Sequence, residues 1–134
     1  MKIGLIGCVK KKKKGLYKVR DLYISDLFKK SLKFALKEYN KVYVLSAKYG
    51  LLGLDTEIED YETTLNNMRK AERKLWYEMV IKQIKETVDE EDELYILAGK
   101  KYHVGIIPSL KNKINLPLGN MPIGKRLKWL DKQL

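Results

Sequence analysis

The sequence predicts an α/β fold, a single three-layer domain in which a small, mainly parallel four-stranded sheet is flanked by helices. Short apolar runs without polar alternation are typical of strands that are buried on both faces. They alternate along the chain with longer segments in which apolar residues recur at helical spacing. This β-α-β-α-β-α-β-α order favours parallel strands joined by right-handed crossovers. The 134 residues fit one domain, residues 1–134.

Turn-forming residues bound the predicted strands. Gly7 ends the first, Gly99 follows the third and Pro117 ends the fourth. Residues 50–66 lack a clear period and are predicted to form a long excursion, which in a compact domain is usually functional or disordered. The four predicted strands are residues 3–7, 42–45, 94–97 and 114–116.

Two long amphipathic helices are predicted between the strands. The first begins near Ser25, and either Ser25 or Asp21 is its predicted N-cap. The second spans residues 67–88. The apolar positions are Phe28, Leu32, Ala35, Leu36 and Tyr39 in the first helix, and Met68, Ala71, Leu75, Trp76, Met79, Val80 and Ile84 in the second.

Two shorter helices are predicted towards the C-terminus. Residues 100–107 form one, which stops near Pro108. The last helix begins at Pro122, because proline suits the first turn of a helix. Its predicted inward residues are Ile123, Leu127 and Leu130.

The net charge of +11 is unevenly distributed along the chain. Residues 1–54 carry a net +11, residues 55–93 a net −7 and residues 94–134 a net +7. Basic flanks favour nucleotides or nucleic acid as partners, through steering and counterion release. A generally lysine-rich composition is the alternative, although composition alone would not concentrate the acids in one segment.

Composition also narrows the classes of protein. No apolar run approaches the ~20 residues that span a bilayer, so no membrane partner is expected. Residues 3–9 are too short for a signal peptide and precede the lysines, so a cytoplasmic location is expected. The single cysteine, Cys8, excludes an internal disulfide and a cysteine-cluster zinc site, and a single histidine, His103, leaves little for a metal. No metal or cofactor is predicted, and the oligomeric state stays open.

Four strand exits are predicted to converge, because parallel strands place their carboxyl ends at one edge of a sheet, where ligands bind. Each exit carries glycine near its turn, and three carry lysine. Convergent amides, hydroxyls and ammonium groups suit phosphate or another anion. No Walker A or GxGxxG motif is present, so a standard ATPase or dinucleotide site is not expected. The exits are residues 7–14, 46–50, 98–102 and 118–120.

The second exit is the most suggestive of the four. Ser46, Lys48, Tyr49 and Gly50 present a hydroxyl, an ammonium, a phenol and a glycine within five residues. They are predicted to form a binding or catalytic loop. An ordinary strand exit with solvated polar side chains is the alternative.

Other candidate side chains also have structural alternatives. Lysines 10–14 are predicted either to bind an anion or to form a solvated loop. Cys8 is a nucleophile that lacks a partner base, or an inert buried thiol. His103 is predicted on a helix surface, and Trp76 and Trp129 in the core. The tyrosines expected near the loops stack on bases or anchor the loops, namely Tyr17, Tyr23, Tyr49, Tyr61 and Tyr102.

Carboxylates for acid/base chemistry are expected from the excursion. Asp60 and Glu62, which flank Tyr61, are the candidates that lie next to the second long helix in sequence. Solvation or pairing with the basic rim is the alternative for all the acids of the excursion, which also include Asp55, Glu57 and Glu59.

Several motifs occur together along nearly the whole chain. They are IGCVKKK, RDLYISDLFKKS, VLSAKYGLL, DYETTL, LAGKKY and PLGNMPIGKRLKWL. On these motifs the chain resembles an uncharacterised family that is widespread in bacteria, archaea and phages. That family is distantly similar to the uracil-DNA-glycosylase-like domains of archaeosine synthases and tRNA-guanine transglycosylase relatives, which implies kinship with modified-base metabolism. The water-activating motif of the glycosylases is not visible in this sequence. Asp60 stands where members often have proline and Glu62 where they often have aspartate, so the identity of the acid stays open.

Two functions are predicted. The first is an enzyme that acts on a nucleotide or nucleic-acid base, at an N-glycosidic bond or in base modification, with a basic phosphate-binding pocket at the strand ends. The second is a non-catalytic nucleic-acid-binding module. The predicted catalytic residues are Ser46, Lys48, Asp60 and Glu62, and the predicted substrate- or phosphate-binding residues are Gly7, Cys8, Lys10, Tyr23, Ser25, Tyr49, Gly50, Tyr61, Gly99, Lys100 and Tyr102.

Overall fold

A five-stranded mixed sheet forms the centre of the computed structural model, which describes residues 1–134. Five of the seven strands form this sheet, and the other two form a separate pair. The strands are β1 (Lys2–Gly7), β2 (Leu16–Lys18), β3 (Lys41–Ser46), β4 (Gly50–Gly53), β5 (Glu57–Glu59), β6 (Glu93–Leu97) and β7 (Ile114–Asn115). The helices are α1 (Val19–Leu22), α2 (Asp26–Glu38), α3 (Lys70–Thr87), α4 (Lys100–His103) and α5 (Ile123–Gln133), and Leu65–Asn67 and Ile107–Ser109 form 3₁₀ turns.

The strand order in the large sheet is β4-β3-β1-β6-β7. β1 pairs in parallel with β3 and β6, and β6 pairs in parallel with β7. The four predicted strands are therefore present and parallel. The sheet nevertheless has a fifth strand that the sequence did not predict, because β4 pairs antiparallel with β3, with Ser46 opposite Gly50. The prediction of a four-stranded sheet is wrong in this respect.

The excursion over residues 50–66 is structured. Gly50 adopts a positive φ of 76°, a conformation that glycine accepts readily, and the chain turns back beside β3 as β4. β5 then pairs antiparallel with β2 in a separate two-stranded sheet. This small sheet ties the excursion to the end of the lysine run at residues 10–14.

The predicted N-cap of the first long helix is confirmed. The Ser25 hydroxyl accepts a hydrogen bond from the backbone N–H of Phe28 at 3.1 Å, which satisfies one of the free donors at the start of α2. Phe28 and Ala35 enter the core from this helix, but Leu36 is 50% exposed and does not. The buried face of α2 is formed by Phe28, Ser31, Phe34 and Ala35, and Leu36, about 100° further around the helix from Ala35, lies outside it.

In the second long helix, too, the buried face differs from the predicted one. Trp76, Val80 and Ile84 form a straight row at intervals of four residues and are buried, whereas Leu75 is 67% exposed. The third predicted helix is shorter than expected, since α4 ends at His103. In α5, Leu130 is fully buried as predicted, but Ile123 is exposed.

Both faces of the central strand β1 are covered. A Cβ atom at Gly4 would lie 3.5 Å from the side chain of Ala35, which places α2 against that face. Successive side chains of a strand point to opposite faces, and Ile3 and Leu5, on the other face, are each 1% exposed. None of the helices combines the length and apolarity that crossing a membrane requires.

Candidate functional site

A cavity of about 520 Å³ opens at the carboxyl ends of β1 and β6. Its floor is formed by the exits of these two strands, Gly7 to Lys10 and Leu97 to Tyr102. The start of α2, the 3₁₀ turn Leu65–Asn67 and the start of α5 supply the walls. The cavity therefore lies where the sequence predicted a pocket, at the carboxyl edge of a parallel sheet.

The charged groups around the cavity are all basic. Lys10, Lys100, Lys101 and Arg126 line it, and no carboxylate does. Arg126 is held in place because its Nε donates a hydrogen bond to the carbonyl oxygen of Met121 at 2.7 Å. Its Nη1 would lie 4.0 Å from a Cβ atom at Gly99, so the guanidinium group reaches across to the exit of β6. This arrangement suits an anionic ligand.

Neutral polar groups complete the lining. Ser31 is only 2% exposed and borders the cavity, and its hydroxyl makes no hydrogen bond within the protein. A hydroxyl at a cavity wall that the fold does not use is available to a ligand. Thr64, Asn66 and Asn67 also line the cavity, and the Lys101 ammonium donates to Oδ1 of Asn66 at 2.9 Å.

Cys8 and Tyr102 form a pair at the floor of the cavity. The Cys8 Sγ lies 3.1 Å from the Tyr102 hydroxyl, and the backbone N–H of Ala47 donates to the same sulfur at 3.4 Å. Burial, and then the nearby Cys8, raise the pKa of Tyr102 well above its usual value, so this phenol stays protonated at neutral pH. No imidazole or carboxylate hydrogen-bonds the thiol.

The exit of β3 does not reach the cavity. Ser46 is fully buried, and its hydroxyl donates to the Tyr61 hydroxyl at 2.8 Å and accepts from the N–H groups of Lys48 and Tyr49 at 3.2 and 3.0 Å. Its carbonyl oxygen accepts from Nε1 of Trp76 at 3.0 Å. The hydrogen bonds of Ser46 are thus all internal, and the residue organises the turn that leads into β4.

Two tyrosines continue the network from Ser46. The hydroxyls of Tyr23 and Tyr61 lie 2.6 Å apart, and we call Ser46, Tyr23 and Tyr61 the hydroxyl cluster. Burial is the main reason that the pKa values of both phenols are raised, with a further contribution from the nearby Cys8. The Lys12 ammonium lies 4.4 Å from the centre of the Tyr61 ring, and burial lowers the pKa of this lysine. Lys12, the middle residue of the lysine run at residues 10–14, therefore connects this run to the hydroxyl cluster.

The rest of the second exit is also held by the fold. Oε1 of Gln83 accepts from the N–H of Leu51 at 2.8 Å, and Nε2 of Gln83 donates to the carbonyl oxygen of Tyr49 at 3.1 Å. The Lys48 side chain is exposed, with its ammonium 5.2 Å from the centre of the Tyr49 ring. The structure does not bring this exit into the lining of the cavity, because the chain turns back into β4 after Ser46, and the predicted roles of its residues stay predictions.

A comparison with protein families matches residues 3–132 to a family of unknown function (DUF6884). The chain belongs to this family. The match contains both the cavity and the hydroxyl cluster, and it confirms the resemblance to an uncharacterised family. No curated protein matches the chain, so the more distant similarity to glycosylase-like domains stays a prediction.

In this member of DUF6884, the structure brings together six of the fifteen predicted site residues around the cavity. These six are Gly7, Cys8, Lys10, Gly99, Lys100 and Tyr102. From the fourth exit only Leu118 lines the cavity, and Gly119 and Asn120 do not. The predicted residues that lie outside its lining are Tyr23, Ser25, Ser46, Lys48, Tyr49, Gly50, Asp60, Tyr61 and Glu62.

The predicted acids lie away from the cavity. Asp60 accepts a hydrogen bond from the N–H of Gly15 at 2.8 Å and so fastens the end of the lysine run. Glu62 is exposed and makes no ion pair or hydrogen bond. Asp55 pairs with Arg20 at 2.9 Å on the surface. The acids of the excursion that have partners are therefore engaged with the fold, and the predicted acid/base roles stay predictions.

His103 is buried, which corrects its predicted position on a helix surface. It is 7% exposed, and its Nδ1 has no hydrogen-bond partner. Burial, together with the nearby charges of Arg126 and Lys100, lowers the pKa of His103, so the imidazole is neutral at pH 7. His103 belongs to no group of three or more His, Cys, Asp or Glu side chains that are close enough together to hold a metal ion.

Sequence reasoning missed several residues that line the cavity, of which Arg126 is the most important. It is the only arginine in the basic C-terminal segment, and it follows Ile123 by three residues on the same side of α5. That position is the one signal that would have identified it. The other residues that were missed are Ser31, Thr64, Asn66, Asn67 and Lys101.

Proposed function

We propose that the protein is a nucleotide- or nucleic-acid-base-directed enzyme that holds its substrate in the cavity at the ends of β1 and β6. The observation that carries this proposal is the charge of the cavity, which has four cations and no carboxylate in its lining. A negative charge on the ligand would strengthen its binding there. A cavity of about 520 Å³ also has the size of a typical small-molecule site.

The cavity also has an apolar part, which favours a nucleotide over a simple anion. Half of its lining residues are apolar, including Leu27, Phe28, Leu65 and Leu118. A phosphate ion alone would leave this surface uncovered, whereas a base would bury it. The proposed ligand therefore carries an anionic group and a flat, largely apolar group.

The geometry assigns separate roles to the cavity residues. Arg126 presents a planar set of donors that matches a phosphate, and Lys100 and Lys10 add point charges. The unpaired hydroxyl of Ser31 supplies a hydrogen bond from the buried side. Tyr102 is not part of this set, because its hydroxyl donates to the carbonyl oxygen of Cys8 at 3.4 Å. Phosphate binding is thus assigned to Arg126, Lys100, Lys10 and Ser31 and not to Lys48, which lies outside the cavity.

For the reaction, we propose cleavage or exchange at an N-glycosidic bond or another modification of the base. The resemblance to glycosylase-like domains supports this choice, and the Cys8–Tyr102 pair lies inside the cavity. The alternative is a non-catalytic nucleic-acid-binding module. The absence of a carboxylate from the cavity lining supports that alternative, because general acid/base chemistry often uses one.

Product analysis separates the two functions. Nucleosides, nucleotides and oligonucleotides would be incubated with the protein, and released or altered bases would be measured by chromatography. An enzyme should release product, and Cys8→Ala and Tyr102→Phe should lower the turnover while leaving substrate affinity within about threefold. Glu62→Gln is the control for an acid outside the cavity, and loss of turnover in this variant alone would place the acid/base group there. Binding without any turnover would support the binding module.

Binding itself is tested by calorimetry with nucleoside monophosphates and the matching nucleosides. The monophosphates should bind more tightly, by about tenfold or more, because a charged phosphate adds hydrogen bonds to charged partners. Equal affinities for nucleoside and monophosphate would contradict a phosphate site in this cavity.

A further inference from the structure

A second basic surface adjoins the cavity on α3. Lys70, Arg73, Lys74 and Tyr77 line a shallow groove together with Ala71, and no acidic side chain lines it. Positions 70, 73, 74 and 77 follow the spacing of one helix face. This groove was not part of the predicted site.

The groove and the cavity are in direct contact. The Tyr77 hydroxyl, in the groove, donates a hydrogen bond to the carbonyl oxygen of Lys101, which lines the cavity. The Lys101 ammonium in turn bonds Asn66 in the cavity wall at 2.9 Å. One step along the chain from Lys101, Lys100 adds a further charge to the cavity rim. The Tyr77–Lys101 hydrogen bond therefore joins a groove lined by three cations to a cavity lined by four.

Tyr77 gives the groove an ordered aromatic surface. Its ring packs edge to face against Trp76 at 5.5 Å and against Gly105, where any side chain would collide with the ring. Arg73 lies close enough to lower the pKa of the phenol, although burial raises it more. A fixed ring between cations is a feature of proteins that bind single-stranded nucleic acid, where bases stack on aromatic rings and cations contact the phosphates.

We propose that the substrate in the cavity is one nucleotide of a single-stranded nucleic acid, whose neighbouring phosphates bind along the groove formed by Lys70, Arg73, Lys74 and Tyr77. This proposal rests on the proposed function, because the cavity must accept a nucleotide. It names the substrate class as a polynucleotide instead of a free nucleotide. The cations of the groove have no role for a ligand that the cavity holds completely.

The test compares two charge-removal variants of equal size. The groove variant carries Lys70→Ala, Arg73→Ala and Lys74→Ala. The control variant carries Lys82→Ala, Lys85→Ala and Lys132→Ala, three exposed lysines that line neither the groove nor the cavity. Alanine favours helix, so both variants should fold, and circular dichroism and thermal unfolding verify this.

Affinities for single-stranded RNA and DNA of about 12 nucleotides are measured by fluorescence anisotropy over a range of salt concentrations. The groove variant should lose about tenfold or more in affinity for the oligonucleotide, and its log-log salt slope should fall by about 2, because three phosphate contacts are lost. The control variant should change by less than about threefold. Calorimetry with a nucleoside monophosphate should give the same affinity for the groove variant and the wild type.

The possible failures of the two proposals are distinguishable. If monophosphates bind to the wild type but oligonucleotides bind no more tightly, the groove proposal is overturned and the proposed function stands. Equal losses in the groove and control variants would also overturn it, since only total charge would then matter. If neither monophosphates nor oligonucleotides bind, the proposed function itself is wrong. Tighter binding of a polyglutamate peptide than of either oligonucleotide would indicate an acidic protein partner and overturn the groove proposal.

Discussion

The ends of β1 and β6 open into a cavity, whereas the end of β3 is closed by its own hydrogen bonds. At the cavity, the buried hydroxyl of Ser31 lacks a partner. At the end of β3, the buried hydroxyl of Ser46 contacts three partners within the protein. Two buried serines beside one sheet thus differ in what remains for a ligand. A polar strand end therefore indicates a binding site only when its polar groups are not already hydrogen-bonded within the fold.

Chain direction explains this difference. β1 and β6 are followed by segments that leave the sheet edge, so their exits face an open crevice. β3 is followed at once by an antiparallel strand, which uses the polar groups of the turn. We therefore expect substitutions at the exit of β3 to change stability more than binding.

The largest effect should come from Gly50→Ala, at the turn after β3. A Cβ atom there would collide with the side-chain amide of Gln83, and a positive φ of 76° is unfavourable for alanine. Strain and overpacking together should lower the free energy of unfolding by about 3 kcal/mol in urea denaturation. Gly119→Ala is the matched control, because Gly119 also has a positive φ but nothing within 4 Å of the added Cβ. Equal losses in the two variants would show that the turn after β3 is not tightly packed.

A smaller effect is expected from Ser46→Ala. This change leaves the N–H groups of Lys48 and Tyr49 without a partner and removes one of the two partners of the Tyr61 hydroxyl, so it should lower the free energy of unfolding by about 2 kcal/mol. Ser31→Ala removes a buried hydroxyl that has no partner in the protein, so it should change the free energy of unfolding by less than about 0.5 kcal/mol. Calorimetry should show the reverse order for nucleotide affinity, with a loss only in Ser31→Ala. A stability loss of the same size in both variants would contradict the contrast between the two serines.

A further effect on stability depends on pH. The pKa values of Tyr23 and Tyr61 are raised in the folded protein, mainly by burial. Below a pH of about 10 both phenols are protonated in the folded and unfolded states, and they add no pH dependence. Above it the unfolded chain loses these protons while the folded protein keeps them, so the free energy of unfolding falls as the pH rises, by up to about 1.4 kcal/mol per pH unit for each phenol.

Urea denaturation between pH 9 and pH 11 checks this dependence. Tyr61→Phe removes one of the two phenols and should show a smaller fall in the free energy of unfolding across this range than the wild type. Tyr17→Phe, at a partly exposed tyrosine outside the cluster, is the matched control for the loss of a hydroxyl. Identical slopes for Tyr61→Phe and the wild type would mean that the hydroxyl cluster is open to water.

The parts of the fold that depend on local pattern could be predicted from the sequence. Continuous apolar runs identified the four parallel strands, and Ser25 was recognised as an N-cap because capping needs only the residues that follow it. β4 was missed because its two leucines between glycines are too short a pattern to distinguish a strand from a loop. The buried face of a helix could not be assigned where two adjacent residues are both apolar. Leu75 and Trp76 are such a pair, and only Trp76 is buried.

The position of the candidate site was predictable, but the full set of residues that line it was not. The topology rule placed the cavity at the carboxyl edge of the parallel strands, and the exits of β1 and β6 supplied six predicted residues. Whether the hydroxyl of Ser46 faces a ligand depends on Tyr61, 15 residues later in the chain. Arg126 comes from the other end of the chain and meets Gly99 only after folding. Such long-range placements leave no local signal.

Calorimetric titration of a nucleoside monophosphate into the wild type, Arg126→Ala and Lys48→Ala tests the central claim most directly. Both variants lose one cation, but only Arg126 lines the cavity. Arg126→Ala should weaken binding by about tenfold or more, and Lys48→Ala should stay within about twofold of the wild type. A large loss in Lys48→Ala with an unchanged affinity in Arg126→Ala would show that the phosphate binds at the exit of β3 and not in the cavity.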